Sequence, residues 1–415
     1  TMSVLPEENV ANKHLIQAIH RLRKDALVYS VAVFSSALVN ILFIMIFTRV
    51  FSTREYGHYA LTLTSVGFVS ALVSQWIIQS VKRYRPSYRL NFRIDGFNRN
   101  LYKLTSVAML SMLILSIAFY YVTKYVFRHY FAYYWMAEIL IYGNVVYSIG
   151  TTVLQSDQKA TSYRTYQMVV AFLRLGLSLI FVLFVEKDIT SLLWASILSV
   201  LIPIPALLKS TGVFERNSSK FFNEEFVDFS KKFLQYGLPL MGWFLGTSLL
   251  SLSDRYLLQV FRSSQDVGVY SATFSLVSSS LGLIASPILT AANPAIMNMS
   301  HMGSDYIRKV IKAFSRVFLL IVIPLIIFVW ISRFALVDIL LGVPYRSGAT
   351  IMPLLLVGYM MWNFSMFGHK GFELMHKTNV MLILVAVSAT VNVLVNLISI
   401  PIWGYTGAAW GSLIG

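Results

Sequence analysis

Long apolar runs separated by short polar connections dominate the pattern along this chain of 415 residues. A helix that crosses a bilayer needs about 20 mostly apolar residues. Eleven runs reach this length and predict membrane spans at residues 27–47, 57–81, 104–123, 131–154, 167–185, 190–208, 234–257, 268–296, 314–332, 350–368 and 379–402. The apolar stretch Phe334–Leu341 is too short to span and predicts an interfacial helix. A twelfth run starts at Tyr405, eleven residues before the sequence ends, so we expect a truncated last helix.

The basic residues alternate between the predicted connections. Every second connection, together with the N-terminal segment, holds 24 of the 34 Lys and Arg residues, and the intervening connections hold nine. Basic connections stay on the cytoplasmic side of a membrane. The pattern therefore predicts a multi-pass protein of the bacterial inner membrane with a cytoplasmic N-terminus. The basic connections are 82–103, Lys159 with Arg164, 209–232, 305–316, and Lys370 with Lys377.

Composition supports the same class of protein. Apolar residues make up 57% of the chain and charged residues 13%, far from the averages of soluble domains. A net charge of +16 would suggest nucleic acid as the partner of a soluble protein. Here the charge lies in short connections, where it sets topology and meets anionic lipid headgroups, so we expect membrane lipids and no nucleic acid as partners.

The chain divides near its middle into two parts of similar size. We expect a cytoplasmic arm at 1–26, a first helix bundle at 27–208, a cytoplasmic linker at 209–233 and a second bundle at 234–415. The connection after the first span reads TRVFSTREYGHYAL from Thr48, and the one after the seventh reads QVFRSSQDVGVYSA from Gln259. Aligning these connections pairs Gly57 with Gly268, Ser52 with Ser263, Glu55 with Asp266 and Tyr59 with Tyr270. This repeat predicts two halves related by a twofold axis along the membrane normal.

Three segments together resemble the polysaccharide and lipid-linked oligosaccharide exporters of the MOP superfamily, which include the Wzx-type O-antigen flippases. They are the connection after the first span, the segment QYGLPLMGWFLGTSLLSLSDRYLLQVFRSSQDVGVYSA from Gln235, and NLISIPIWGYTGAAWGS from Asn396. The resemblance implies an all-α integral membrane fold of two pseudo-symmetric six-helix bundles around a V-shaped central cavity, like that of MATE transporters. It also implies an undecaprenyl-diphosphate-linked oligosaccharide as cargo and other polysaccharide-assembly proteins as partners.

Arginines at membrane depth are the first candidate site residues, since a charge there is costly and calls for a reason. Arg174 could extend to the headgroups or could present a cation to a diphosphate, which suits a guanidinium fork. Arg255 and Arg49 lie near the predicted outer ends of the seventh and first spans. Each could be an interfacial anchor or could bind the sugar diphosphate.

Carboxylates form the second group of candidates. Asp254 could form a helix–helix salt bridge, pair with an Arg or bind a coupling cation, and Glu138 could be interfacial, relay protons or pair with an Arg. Gly242 and Gly246 form a GxxxG motif that predicts close helix packing.

The sequence lacks the phosphate-binding GxxxxGK[ST] motif and the metal-binding HExxH motif. We therefore expect no catalytic site, cofactor or metal centre, and a flippase, not an enzyme. Two alternatives are a cation-coupled multidrug exporter of the same superfamily and a membrane-embedded oligosaccharide polymerase or ligase. The candidate site residues are mainly Arg, which disfavours the exporter of cationic drugs. No predicted external connection is long, which disfavours the polymerase.

Overall fold

The structure is a computed structural model that describes residues 34–213, 223–298, 304–375 and 377–415. These residues form an all-helical protein without a β-strand. The predicted cytoplasmic arm at 1–26 lies outside the described residues. The α-helices are α1 Phe34–Val50, α2 Thr53–Leu90, α3 Ile94–Tyr125, α4 Tyr134–Ser156, α5 Ala160–Phe184, α6 Ile189–Leu201, α7 Ile204–Thr211, α8 Glu224–Phe261, α9 Ser264–Asn298, α10 Ser304–Leu340, α11 Met352–Leu374, α12 Thr378–Trp403 and α13 Tyr405–Ile414. Two 3₁₀ helices, Arg128–Tyr133 and Val343–Thr350, precede α4 and α11.

Eight helical segments in the described part of the chain are long and apolar enough to cross a membrane. A ninth results if Val343–Thr350 and Met352–His369, which are bent by 58° relative to each other, count as one span. The fold is therefore the expected all-α fold of a multi-pass membrane protein. Two predicted spans lack this support, since α1 is described only over Phe34–Val50 and α8 is not among the eight segments.

One sequence-based prediction of local structure is wrong. The stretch Phe334–Leu341 does not form a separate interfacial helix, because α10 continues through it to Leu340. The basic connection 82–103, for which the sequence predicted no secondary structure, is mostly helical: α2 continues to Leu90, α3 starts at Ile94, and only residues 91–93 separate them. In both places polar residues mark where a membrane span ends but do not break a helix, since Lys and Arg are good helix formers.

Helix α8 joins the two parts of the chain. It begins where Asn223 caps it, with the Asn223 side chain accepting a hydrogen bond from the amide of Phe226 at 2.9 Å, and acidic residues in the first turn favour this end of a helix. Phe226, Phe229 and Phe233 are buried in a hydrophobic cluster with residues of α2, α3 and α4. The first turns of α8 therefore pack within the first bundle, although its later residues belong to the second.

A buried ion pair fastens the predicted cytoplasmic end of the first bundle. Arg85 of α2 is only 2% exposed, and its guanidinium contacts both carboxylate oxygens of Asp157, which follows α4, at 2.8 and 3.0 Å. A third bond of 2.7 Å reaches Asn98 of α3. The guanidinium of Arg85 thus links α2, α3 and the end of α4. Its two parallel N–H groups fit the two oxygens of a carboxylate.

Candidate functional site

The repeated connections form the same local structure in both halves. Ser52 caps α2 in a capping box: the amide of Glu55 donates to the Ser52 hydroxyl at 3.3 Å, and the amide of Ser52 donates to the Glu55 carboxylate at 2.8 Å. At the start of α9, the amide of Asp266 donates to Ser263 at 3.3 Å, and the Ser263 hydroxyl donates back to the Asp266 carboxylate at 3.0 Å. Both turns satisfy amides that a helix start leaves without partners.

The two aligned glycines of the repeat contact each other. A Cβ atom added to Gly57 would lie 1.9 Å from the carbonyl oxygen of Ser264, and one added to Gly268 would lie 1.8 Å from that of Thr53. Next to them His58 hydrogen-bonds Ser264 at 2.9 Å. Helices α2 and α9 therefore cross with direct backbone contact at the predicted outer end, which only residues without a side chain permit. This crossing joins the predicted first and second halves at the predicted outer end.

Asp254 of α8 lies at the centre of a buried polar cluster in the second half. Its carboxylate accepts hydrogen bonds from the hydroxyls of Tyr270 and Ser412, the latter at 2.6 Å, and from the amides of Asn392 and Asn396 at 3.2 and 2.5 Å. Four helices, α8, α9, α12 and α13, supply these groups. One further oxygen, Oδ1 of Asn396, is buried without a hydrogen-bond partner among the described residues.

Arg255 lies beside the Asp254 cluster and is 5% exposed. Its guanidinium donates to Ser271 at 3.0 Å and to the carbonyl and hydroxyl of Ser251 at 2.5 and 2.6 Å. It also lies over the rings of Phe274 and Tyr270, 5.1 and 5.8 Å from the centroids. Within the described ranges Arg255 forms no salt bridge, so its direct hydrogen-bond partners are neutral groups.

Arg174 of α5 turns toward the other helices. It is half-buried, its guanidinium lies 4.3 Å from the centroid of Phe43, and it donates to Asn40 at 3.2 Å. Asn40 in turn donates to Ser279 of the second half at 2.7 Å. Arg174 thus bonds to the first helix, and it too lacks a salt bridge in the part of the chain that the structure describes.

The repeat alignment matches Phe43 with Asp254. Phe43 packs against Tyr59 at 5.9 Å between ring centroids, whereas Asp254 accepts a hydrogen bond from Tyr270, the residue aligned with Tyr59. In the first half this position holds the ring of Phe43, which contacts the guanidinium of Arg174. In the second half it holds the carboxylate of Asp254, which accepts hydrogen bonds from side-chain amides. The aligned positions of the repeat thus differ in their polar chemistry.

Arg49 occupies a different environment. Its side chain is exposed, and the guanidinium donates to the carbonyls of Met45, Ile339 and Leu340 at the ends of α1 and α10. Cations stabilise helix C-termini. The geometry of Arg49 therefore favours an anchor between the halves.

Glu138 of α4 is 6% exposed and lines a cavity beneath the predicted outer end. The structure places it in the first half, on a different helix from Arg174 and Arg255, and it forms no salt bridge with any described residue.

Sequence reasoning missed the amide and hydroxyl partners of the charged residues. Asn392 and Asn396 lie four positions apart in an apolar helix, and this spacing places both amides on one face. That signal could have identified them as partners of a buried charge. Asn40 and Ser412 carried no comparable signal. The GxxxG prediction is confirmed, since Cβ atoms on Gly242 and Gly246 would lie 3.2 and 2.6 Å from Leu382 and Val385 of α12.

Comparisons with known proteins agree with this fold. Residues 22–300 match the model of a family described as polysaccharide biosynthesis protein. No curated protein sequence matches the chain significantly. A solved structure of the lipid II flippase MurJ in an inward closed conformation has a TM-score of 0.74 at 12% identity, over 94% of this chain and 85% of that one. An inward-facing multidrug resistance MATE transporter of the MOP superfamily gives 0.64 at 13% identity, over 95% and 90%. A eukaryotic MATE transporter gives 0.61 at 14% identity, over 96% and 93%.

Proposed function

Because the chain belongs to the polysaccharide biosynthesis protein family, we propose that it is a Wzx-type flippase that moves undecaprenyl-diphosphate-linked oligosaccharides across the bacterial inner membrane. Membership of this family and the all-helical transporter fold support a transporter, not an enzyme. The sugar-bearing cargo would move between the two halves while its polyprenyl tail stays in lipid. Other polysaccharide-assembly proteins would supply the cargo and take it up.

The observation that carries this proposal is a pair of arginines without acidic partners. Arg174 comes from the first half and Arg255 from the second, and neither forms a salt bridge with a described residue. Asn40, which accepts a hydrogen bond from Arg174, donates to Ser279 on α9, the helix that also carries Ser271, the partner of Arg255. Removing a guanidinium from water without a counter-charge is costly. A diphosphate that enters between the halves would supply the missing negative charge to both. A flippase of neutral or cationic cargo would have no use for this arrangement.

Alternating access requires that the outer ends of the halves separate. The crossing of Gly57 and Gly268 would hold these ends together through its direct backbone contacts. Loss of these contacts would open the space between the halves to the outside, and their formation would close it again after release of the cargo.

The Asp254 cluster is suited to couple this movement to a cation. One carboxylate, the amide oxygen of Asn396 and two hydroxyls offer oxygen ligands of low total charge, which suits a monovalent ion better than Mg²⁺ or Ca²⁺. The buried Oδ1 atom of Asn396, which lacks a partner in the described residues, supports this fit. Since α8, α9, α12 and α13 all contribute, occupancy of the cluster would change how these four helices pack.

The arginine proposal is tested by transport of labelled lipid-linked oligosaccharide in proteoliposomes, normalised to inserted protein. We expect Arg174→Ala and Arg255→Ala to lower transport at least tenfold. Arg→Lys variants should retain more activity, because they keep the charge but lose the fork. Arg49→Ala should lower abundance and leave transport per molecule near normal. Normal transport by both Arg174→Ala and Arg255→Ala would refute the proposal.

The coupling proposal is tested with Asp254→Asn, which keeps the size of the side chain and removes its charge. We expect transport by this variant to lose its response to an imposed gradient of Na⁺ or protons. Asp95→Asn, at an exposed position near the start of α3, is the matched control and should respond like the wild type. An unchanged response of Asp254→Asn would show that the cluster is only structural.

A further inference from the structure

Glu138 lies in a cavity that the proposed transport function does not use. The cavity has a volume of about 130 Å³ and is enclosed by α2, α3, α4, the 3₁₀ helix before α4, and Tyr256 of α8. Its size is similar to the roughly 150 Å³ cavity that holds a benzene molecule in a protein core. Thr123, Phe127, Tyr130 and Tyr133 are half-exposed and form its mouth, so a ligand could enter from the predicted outer end.

One oxygen of the Glu138 carboxylate lacks a partner at this site. Atom Oε2 is buried and accepts no hydrogen bond from the described residues. The hydroxyls of Tyr134 and Ser116 interact with the carboxyl group, although they also bond to each other. The Tyr134 hydroxyl donates to the Ser116 carbonyl at 2.6 Å, and the Ser116 hydroxyl lies 2.9 Å from the Tyr134 oxygen. A buried carboxylate without a counter-ion is costly.

Aromatic and aliphatic side chains make up most of the remaining lining. Six rings contribute to it, those of Phe119, Phe127, Tyr130, Tyr133, Tyr134 and Tyr256. The hydroxyl of Tyr130 donates to Gln259 at 2.7 Å, and that of Tyr256 pairs with Ser65 at 2.8 Å. None of the described lining residues is Lys or Arg. The cavity thus offers a ligand one negative charge, several ring faces and an otherwise mainly apolar wall.

We propose that this cavity binds an organic ammonium ion, from a free amine or from the headgroup of an aminophospholipid. Aromatic rings attract such cations through their faces, most strongly where water is excluded, and Glu138 supplies the counter-charge. A sugar would need several hydrogen-bonding partners, and a phosphate would be repelled by the carboxylate. An ammonium ion satisfies the carboxylate and the rings together.

Binding at this cavity would favour the closed outer end. Tyr256 belongs to the second half and the other five rings to the first, and Phe127 packs edge-on against Tyr256 at 5.7 Å. The complete cavity therefore exists only while the outer ends are together. A ligand that binds one state better than another shifts the equilibrium toward that state. The ammonium ion would thus hold the outer end shut, whatever the cargo of the protein is.

The proposal is tested by equilibrium binding of labelled choline to the purified protein in nanodiscs of phosphatidylglycerol, which contain no amine. We expect saturable binding that 3,3-dimethylbutan-1-ol, the neutral isostere of choline, does not compete for. Glu138→Gln should weaken choline binding more than tenfold. Glu186→Gln, which removes an exposed carboxylate at the same end of the molecule, should leave it unchanged.

Phosphatidylethanolamine in the nanodiscs distinguishes the two sources of the ammonium group. A lower apparent affinity for choline would identify the lipid headgroup as the occupant, and an unchanged affinity would identify a free amine. The proposal is overturned if choline shows no saturable binding, if the neutral isostere competes equally well, or if Glu138→Gln binds choline like the wild type. The isostere experiment uses only the wild-type protein and so does not depend on the folding of a variant.

Discussion

At the scale of single residues, three buried charges differ in the kind of group that contacts them. Arg85 has a carboxylate, Arg255 has hydroxyls and rings, and Asp254 has amides and hydroxyls. A buried ion pair of the first kind is primarily structural, because removing one partner leaves the other charge uncompensated. A buried charge with only neutral partners can still accept a counter-charge from a ligand. This contrast separates the anchoring arginines from those proposed to meet the cargo.

The Arg85–Asp157 pair provides the residue-scale prediction. Asp157→Asn leaves the guanidinium of Arg85 buried and without its carboxylate, and we expect a loss of about 3–5 kcal/mol of stability. The measurement is the thermal unfolding midpoint of the purified protein in detergent. Asp95→Asn, which changes an exposed carboxylate at the same end, should not move the midpoint. Equal midpoints for both variants and the wild type would show that the pair adds no net stability.

At the scale of helices, the crossing of α2 and α9 determines whether the outer end is closed. We expect Gly57→Ala and Gly268→Ala to force the two helices apart, because each Cβ would lie within 2 Å of a backbone carbonyl oxygen that cannot move independently. The measurement is the labelling rate of a Cys introduced at buried Thr62 in this Cys-free chain. Its rate should rise at least tenfold in both variants.

The same helices offer matched controls. Gly67 of α2 and Gly282 of α9 have nothing within 4 Å of an added Cβ. Gly67→Ala and Gly282→Ala should therefore leave labelling at Thr62 unchanged and slightly favour the helices, since Ala has the higher helix propensity. If Gly57→Ala labels as slowly as Gly67→Ala, the crossing does not keep the outer end closed.

The sequence predicted features that depend on residues close together in the chain better than contacts between residues far apart in it. The helices and the GxxxG motif follow from the spacing of neighbouring residues, and the repeat alignment paired the two glycines that meet. Tyr270 lies 16 positions from Asp254, but its other partners, Asn392, Asn396 and Ser412, lie 138 to 158 positions away, and no local pattern indicates which helix will face it. The helical form of 82–103 was missed because charge marks the membrane boundary and not the end of a helix.

At the scale of the whole molecule, the alternation of basic residues predicts which end faces the cytoplasm. We expect a Cys at Arg93, in the exposed connection between α2 and α3, to be protected from an impermeant reagent in intact cells and labelled after permeabilisation. A Cys at Lys187, in the exposed connection between α5 and α6, should be labelled in intact cells. The opposite labelling of these two positions would reverse the predicted orientation.

The contact between Gly57 and Gly268 also sets an order for biosynthesis. The ribosome delivers α2 to the membrane long before α9 exists, since 211 positions separate the two glycines. Until then Asn40 and His58 face lipid or other helices without Ser279 and Ser264, their later partners, although polar groups in hydrocarbon are costly. The first half must therefore persist in the membrane as a folding intermediate whose polar groups still lack their partners from the second half. Membrane chaperones and proteases would have to distinguish this intermediate from misfolded protein.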